Sequence, residues 1–178
     1  GPYGSPPVLP ALHWSQGVFF IAGGVGVTPA LSLLPAAATP GHSVSLYWSL
    51  RSPKLYRYAK PFFDGRIAGD ACHIQVTGSA AADLASSEAQ EPGGIAATTT
   101  RLDVGQWLQL ACKQLRANTS GSACSALVFA CGPDGLVRAA RDALPGLEAS
   151  TGVSLHLHAE AFRFLPAMAE PRRAGARV

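Results

Sequence analysis

Three glycines over four positions, Gly23, Gly24 and Gly26, follow the apolar run Val18-Phe19-Phe20-Ile21-Ala22 and precede Thr28-Pro29. The run reads as a buried strand, and the glycines let the backbone turn sharply and come close to a ligand. Thr28 is an N-cap residue type and Pro29 suits the first helical position, so a helix is expected to begin there. A strand that turns tightly into a helix leaves backbone N–H groups unpaired at the positive end of the helix dipole, with no side chains to hold an anion away. The chemistry this predicts is the binding of a phosphate, with Gly23, Gly24, Val25, Gly26, Val27, Thr28 and Pro29 as the cradle. A strand-to-helix connection that merely needs glycine is the plain alternative. Read as G-x-G-x-x-G, Gly24 and Gly26 fit, but Pro29 stands where the third glycine belongs, so the turn should differ in detail from a standard dinucleotide fingerprint.

A second stretch carries the same kind of signal. Val128-Phe129-Ala130-Cys131 is an apolar strand ending in the sharp Gly132-Pro133-Asp134 turn, with a helical pattern from Gly135 to Leu144. Cys131 sits where the strand stops, and ligands of open parallel sheets bind at the carboxyl ends of strands. A small buried strand residue is the alternative reading of this cysteine. Arg51 closes a third run, Leu46-Tyr47-Trp48-Ser49-Leu50, and can pair with a 2′-phosphate, since no acid occupies that strand end to bind a free ribose hydroxyl. A solvated loop arginine is its alternative, and Lys54 and Arg57 are further candidates for the same phosphate.

Taken together, GGxGxTP about a hundred residues before Cys131-Gly132-Pro133 resembles the pyridine-nucleotide lobe of the ferredoxin-NADP reductase superfamily, and within it the ferric reductase and NADPH oxidase branch. Gly1-Pro2-Tyr3-Gly4 is similar to the segment that closes the flavin domain in that branch. The Leu46 to Arg51 run resembles its second strand. Thr99-Thr100-Arg101-Leu102-Asp103 resembles a degenerate GRPD segment, and His158-Ala159-Glu160-Ala161-Phe162 a closing KENF-like motif. The resemblance implies that NADPH delivers a hydride to FAD, with electrons passing on to haem and then to ferric iron or oxygen in membrane relatives. It implies cofactor contacts from Arg51, Ser52, Arg101, Cys131, Gly132 and Pro133, with Cys131, Glu160 and Phe162 beside the reacting rings. Arg101 and Asp103 could instead serve the start of a helix, Asp103 by capping it. The chain continues for sixteen residues after Phe162, whereas relatives end near that aromatic.

The elements that must position these groups follow from periodicity. Strands are expected at Val18–Ala22, Val44–Leu50, His73–Thr77, Leu127–Ala130 and Val153–His158. Short helices are expected at Ala30–Ala38 and at Tyr56–Asp64, the second broken at Pro61. The apolar positions Val104, Trp107, Leu108, Ala111, Cys112 and Leu115 recur at helical spacing and make Cys112 a core residue. Strand and helix in alternation give an α/β fold, a Rossmann-like three-layer sandwich whose five-stranded parallel sheet has the order 3-2-1-4-5. That order places the two glycine turns side by side. Residues 1–16 are expected to end a flavin domain or linker and 17–165 to form the NADP-binding domain, with 79–97 a flexible insertion and 166–178 a loose tail.

At 178 residues, with 48% apolar and 14% charged residues, the chain is long and apolar enough for one folded domain. A net charge of +3 with scattered arginines does not argue for nucleic acid. Four cysteines without C-x-x-C spacing read as reduced thiols, and His156 and His158 lack a third metal ligand. No stretch reaches the ~20 apolar residues of a membrane helix. The resemblance implies a lobe at the cytosolic face of a membrane, partnered by an FAD-binding domain of the same chain and, upstream, a membrane haem domain. The same lobe in a flavin reductase without a membrane domain, or a noncatalytic nucleotide-binding module, are the competing readings.

Overall fold

The computed structural model describes residues 8–77, 97–98, 102–121 and 123–162. Its centre is strand β1 (Gly17–Gly23), every residue of which is buried. A strand covered on both faces is what a parallel sheet with helices on each side requires. Strand β2 (Ser43–Leu50) pairs with one side of β1 and β5 (Ser125–Pro133) with the other, both parallel. Beyond β2 lie β3 (Cys72–Val76) and the two-residue β4 (Ala97–Thr98); beyond β5 lies β6 (Ser154–Phe162). The order is β4-β3-β2-β1-β5-β6. The five expected strands take their expected order 3-2-1-4-5, and β4 adds a short outer edge that begins at Ala97, the last residue of the expected insertion.

Successive residues of β1 serve opposite layers, as the period of a strand dictates. Val18, Phe20 and Ala22 join Leu46, Trp48, Phe129 and Cys131 in a core under helices α1 (Val8–Trp14), α2 (Val27–Ala37) and α3 (Pro53–Phe63). Phe19 and Ile21 join Tyr47, Val128 and Ala130 in a second core under α4 (Val104–Asn118) and α5 (Asp134–Thr151). The apolar stripe of α4 faces that second core, and Cys112 within it is fully buried. Helix α1 has no counterpart among the sequence expectations, yet its Leu12 is 3% exposed within the first core.

Several boundaries differ from expectation, each for a local reason. Helix α2 begins at Val27 with Gly26 as N-cap, so Thr28 and Pro29 occupy the second and third helical positions. Winding starts early because Gly24–Gly26 already form a 3-10 turn and the Val27 N–H bonds back to the Gly24 and Val25 carbonyls. The Thr28 hydroxyl donates to the Val25 carbonyl at 2.9 Å and caps nothing. Pro29 is tolerated because a first-turn N–H has no carbonyl partner inside the helix. Pro61 does not break α3, which runs from Pro53 to Phe63 with Pro61 in its last turn. Helix α5 continues through Pro145 to Thr151 and ends at Gly152, whose φ of 67° suits glycine. Ser45 and Tyr47, which alternate along β2 with the apolar Val44, Leu46 and Trp48, are both buried. The Tyr47 hydroxyl lies 3.1 Å from Gln75 Oε1 and 3.0 Å from the Leu102 carbonyl, which satisfies it there.

Candidate functional site

The chain runs β1, β2, β3, β4 toward one edge and then returns to β5 and β6 on the other side of β1. Between β1 and β5 the direction of winding reverses, and at such a point the connections leave opposite faces and open a crevice at the carboxyl ends. Both glycine turns stand there. Their contact is backbone on backbone: a Cβ on Gly132 would lie 3.0 Å from the Gly23 nitrogen and 3.1 Å from its Cα, and a Cβ on Gly26 would run into the Cys131 carbonyl. Gly23 is closed off in the same way by the Pro133 ring. These three glycines are therefore required by the packing of one turn on the other.

Gly24 is different. Its φ is 54°, in the left-handed region, and a Cβ there would meet nothing within 4 Å. The turn is pinned from below by Trp48 of β2, fully buried, whose indole Nε1–H donates to the Gly24 carbonyl at 2.9 Å. Above it Val25 is 59% exposed. Helix α2 then starts with no side chain capping its N-terminus and no acidic residue in its first turn. The arrangement can offer oriented backbone donors and a positive dipole end to an anion.

Trp48 was read in the sequence only as an apolar strand position. The signal that could have found it is general: a buried indole N–H needs an acceptor, and the nearest turn supplies one.

Arg51 is exposed on the bend directly after β2. Register places Ser49 opposite Gly23, so Arg51 follows two residues beyond that pair, at the carboxyl end of β2. Ser52 caps α3, its Oγ accepting from the Leu55 N–H at 3.4 Å, with Pro53 at the first helical position. Lys54 and Arg57 are exposed on α3. Asp103 caps α4, its Oδ1 accepting from the Gly105 N–H at 2.8 Å and the Gln106 N–H at 3.3 Å. Arg101, with Thr99, Thr100 and the Gly1 to Gly4 segment, lies outside the described residues, as does the tail after Leu165.

The last residues of β5 and β6 form the other wall. Cys131 pairs in register with Glu160, Gly132 with Ala161 and Pro133 with Phe162. Strand β6 runs four residues past the expected His158 because β5 itself extends to Pro133 and offers it a partner throughout. Cys131, Glu160 and Phe162 are thereby brought together. Burial, with the Glu160 carboxylate adding to it, pushes the Cys131 thiol up to about 11, so it stays protonated at neutral pH. His158, two residues before Glu160, puts its Nε2 3.2 Å from Glu160 Oε1 and stacks on Phe129 with ring centroids 5.1 Å apart. Phe162 is half-buried against the first core.

No protein-family model matches the sequence, and no curated protein matches it. Solved structures with a similar arrangement include a flavohemoglobin from Malassezia yamatoensis with bound FAD and heme, 18% identical over 84% of this chain with a TM-score of 0.39. They also include the ferredoxin-NADP+ reductase of Plasmodium falciparum, in an H286K form in complex with 2′P-AMP, 14% identical over 83% of this chain with a TM-score of 0.40. A third is the cytochrome b5 reductase domain of Ulva prolifera nitrate reductase, 18% identical over 81% with a TM-score of 0.40. This chain spans 34%, 55% and 49% of those three chains. At these values the α/β fold class rests on the sheet order of the chain itself.

Proposed function

We propose that this chain is the NADPH-binding lobe of a flavin-dependent oxidoreductase, passing hydride from NADPH to FAD and electrons onward to haem and ferric iron or oxygen. The carrying observation is the open N-terminus of α2, uncapped and free of acids, set against the Cys131-Gly132-Pro133 turn at the reversal point of the sheet. Gly24 and Val25 hold the pyrophosphate through backbone N–H groups and the α2 dipole. Arg51 grips the 2′-phosphate with its guanidinium and favours NADPH over NADH, and the adjacent Ser52, whose Oγ accepts the Leu55 N–H, keeps a hydroxyl hydrogen to donate to the same phosphate.

Bound NADPH supplies the hydride. Around it Cys131, protonated and buried, shapes the pocket without nucleophilic chemistry, and Glu160, held by His158, orients the nicotinamide amide. Phe162 borders the same space. The FAD-binding domain and any membrane haem domain are partners contributed from outside these residues. The ferric reductase and NADPH oxidase assignment rests on the resemblance carried by GGVGVTP, Cys131-Gly132-Pro133 and the Leu46 to Arg51 run. Among the described residues no helix is long and apolar enough to cross a membrane.

Titration of the folded 178-residue chain with NADPH and NADH tests the reading. Tighter binding of NADPH is expected. Binding of neither nucleotide at millimolar concentration, with the fold intact by circular dichroism, would sink it.

A further inference from the structure

Trp48 sits in the middle of the sheet, fully buried, yet its one polar atom reaches out of the core to the Gly24 carbonyl at 2.9 Å. That carbonyl also accepts from the Val27 N–H. Both of its lone pairs are thus engaged from the protein side. A peptide unit is planar and trans, so the C=O of Gly24 and the N–H of Val25 point in opposite directions. With the carbonyl drawn down onto the indole, the Val25 amide is turned outward. Gly24 permits this because its φ of 54° lies where other residues are strained, and the space above it is open.

We infer that Trp48 is a positioning residue for anion binding: by holding the Gly24 carbonyl it aims the Val25 N–H at the pyrophosphate of the bound dinucleotide. Without the indole, the Gly24 carbonyl keeps only the Val27 N–H as a partner, so the Gly24–Val25 peptide is held less firmly and its donor is less well set before binding. The inference rests on the proposed nucleotide site and assigns within it the residue that orients the turn. Glycine turns are soft by composition, and this one is stiffened from the neighbouring strand.

The variant to make is Trp48→Phe in the 178-residue chain, with three probes: NADPH, inorganic pyrophosphate and adenosine 2′-monophosphate, which lacks the pyrophosphate. Expected is a loss of about tenfold in affinity for NADPH and for pyrophosphate, the scale of one hydrogen bond to a charged group, with adenosine 2′-monophosphate unchanged. Equal weakening of all three, or of none, would overturn the inference, because general damage to the fold does not discriminate between phosphates. Failure of the unaltered chain to bind any of the three would remove the nucleotide site itself, which is a separate result. A second measurement needs no variant: amide exchange at Val25 is expected to be fast in the ligand-free chain and slowed by pyrophosphate. Protection of that amide before ligand is added would show it turned inward and end the proposal.

Discussion

Two strand-to-helix junctions at the same end of the sheet solve the same problem in opposite ways. At α4 the first-turn N–H groups are met by the Asp103 carboxylate, which accepts from Gly105 and Gln106. At α2 no side chain caps the helix and no acid lies in its first turn. A helix end left this way forgoes about 1 kcal/mol of capping, and it is commonly left so where something else brings the negative charge. The difference lies in the residues: Asp103 stands before a helix that starts on the flank, whereas Gly24-Val25-Gly26 stand before a helix that starts at the reversal point. The first junction is complete within the chain. The second is the one that the proposed function completes with a ligand.

The largest expected effect comes from forcing the open junction apart. Gly26→Ala drives a Cβ into the Cys131 carbonyl and should destabilise the chain by roughly 3 kcal/mol in urea unfolding, the upper end for overpacking. A cost near zero would mean that the two turns do not abut. Next, Arg51→Ala should weaken NADPH by about thirtyfold while leaving NADH unchanged, which isothermal titration of both nucleotides would read. An equal loss for the two would place Arg51 away from the 2′-phosphate.

Thr28→Asp sharpens the contrast by giving α2 the acid it lacks. Stability should rise by about 0.5 kcal/mol while NADPH affinity drops by about tenfold, a trade that thermal melts and titration would expose together. The reverse experiment, Asp103→Ala, opens the closed junction. It should cost about 1 kcal/mol and leave nucleotide binding unaltered. If it abolished binding, the two junctions would not be independent.

The smallest expected effect is on thiol chemistry. Burial pushes Cys131 and Cys112 up to about 11, and Cys72, next to Asp64, up to about 12. Because the folded values lie above the ordinary 9.0, the stability these thiols contribute is intact below pH 9 and is lost as pH rises through about 11 to 12. At pH 8 the folded chain should therefore resist iodoacetamide at all three over the time that labels the urea-unfolded chain.

How much of this was legible beforehand varied with the range of the interaction. The strand order followed from alternation and handedness, because a parallel sheet with short connections has few ways to be wound. The meeting of the two glycine turns followed from that order. The helix start at Asp103 was legible because a carboxylate marks it, whereas α3 begins at Pro53, three residues before the expected Tyr56, and the start of α2 was misplaced at Thr28, where the backbone of a 3-10 turn sets the start and the threonine hydroxyl looks backward. Pro61 was expected to break its helix and the helical pattern after Pro133 was traced only to Leu144, but α3 and α5 continue past Pro61 and Pro145, with Phe63, Leu144 and Leu147 buried in the two cores. The Trp48 bond to Gly24 joins residues 24 positions apart and left no local trace.

The contact of Gly23 and Gly26 with Gly132 and the Cys131 carbonyl has no rotamers. A side-chain contact can relax by changing χ1, but main chain pressed on main chain can only move as a unit. The two walls of the crevice are thus joined like the legs of a fixed caliper. The separation between the Gly24 turn on one side and Cys131 with Glu160 on the other is a length written in peptide geometry, and any molecule seated across it is measured against that length.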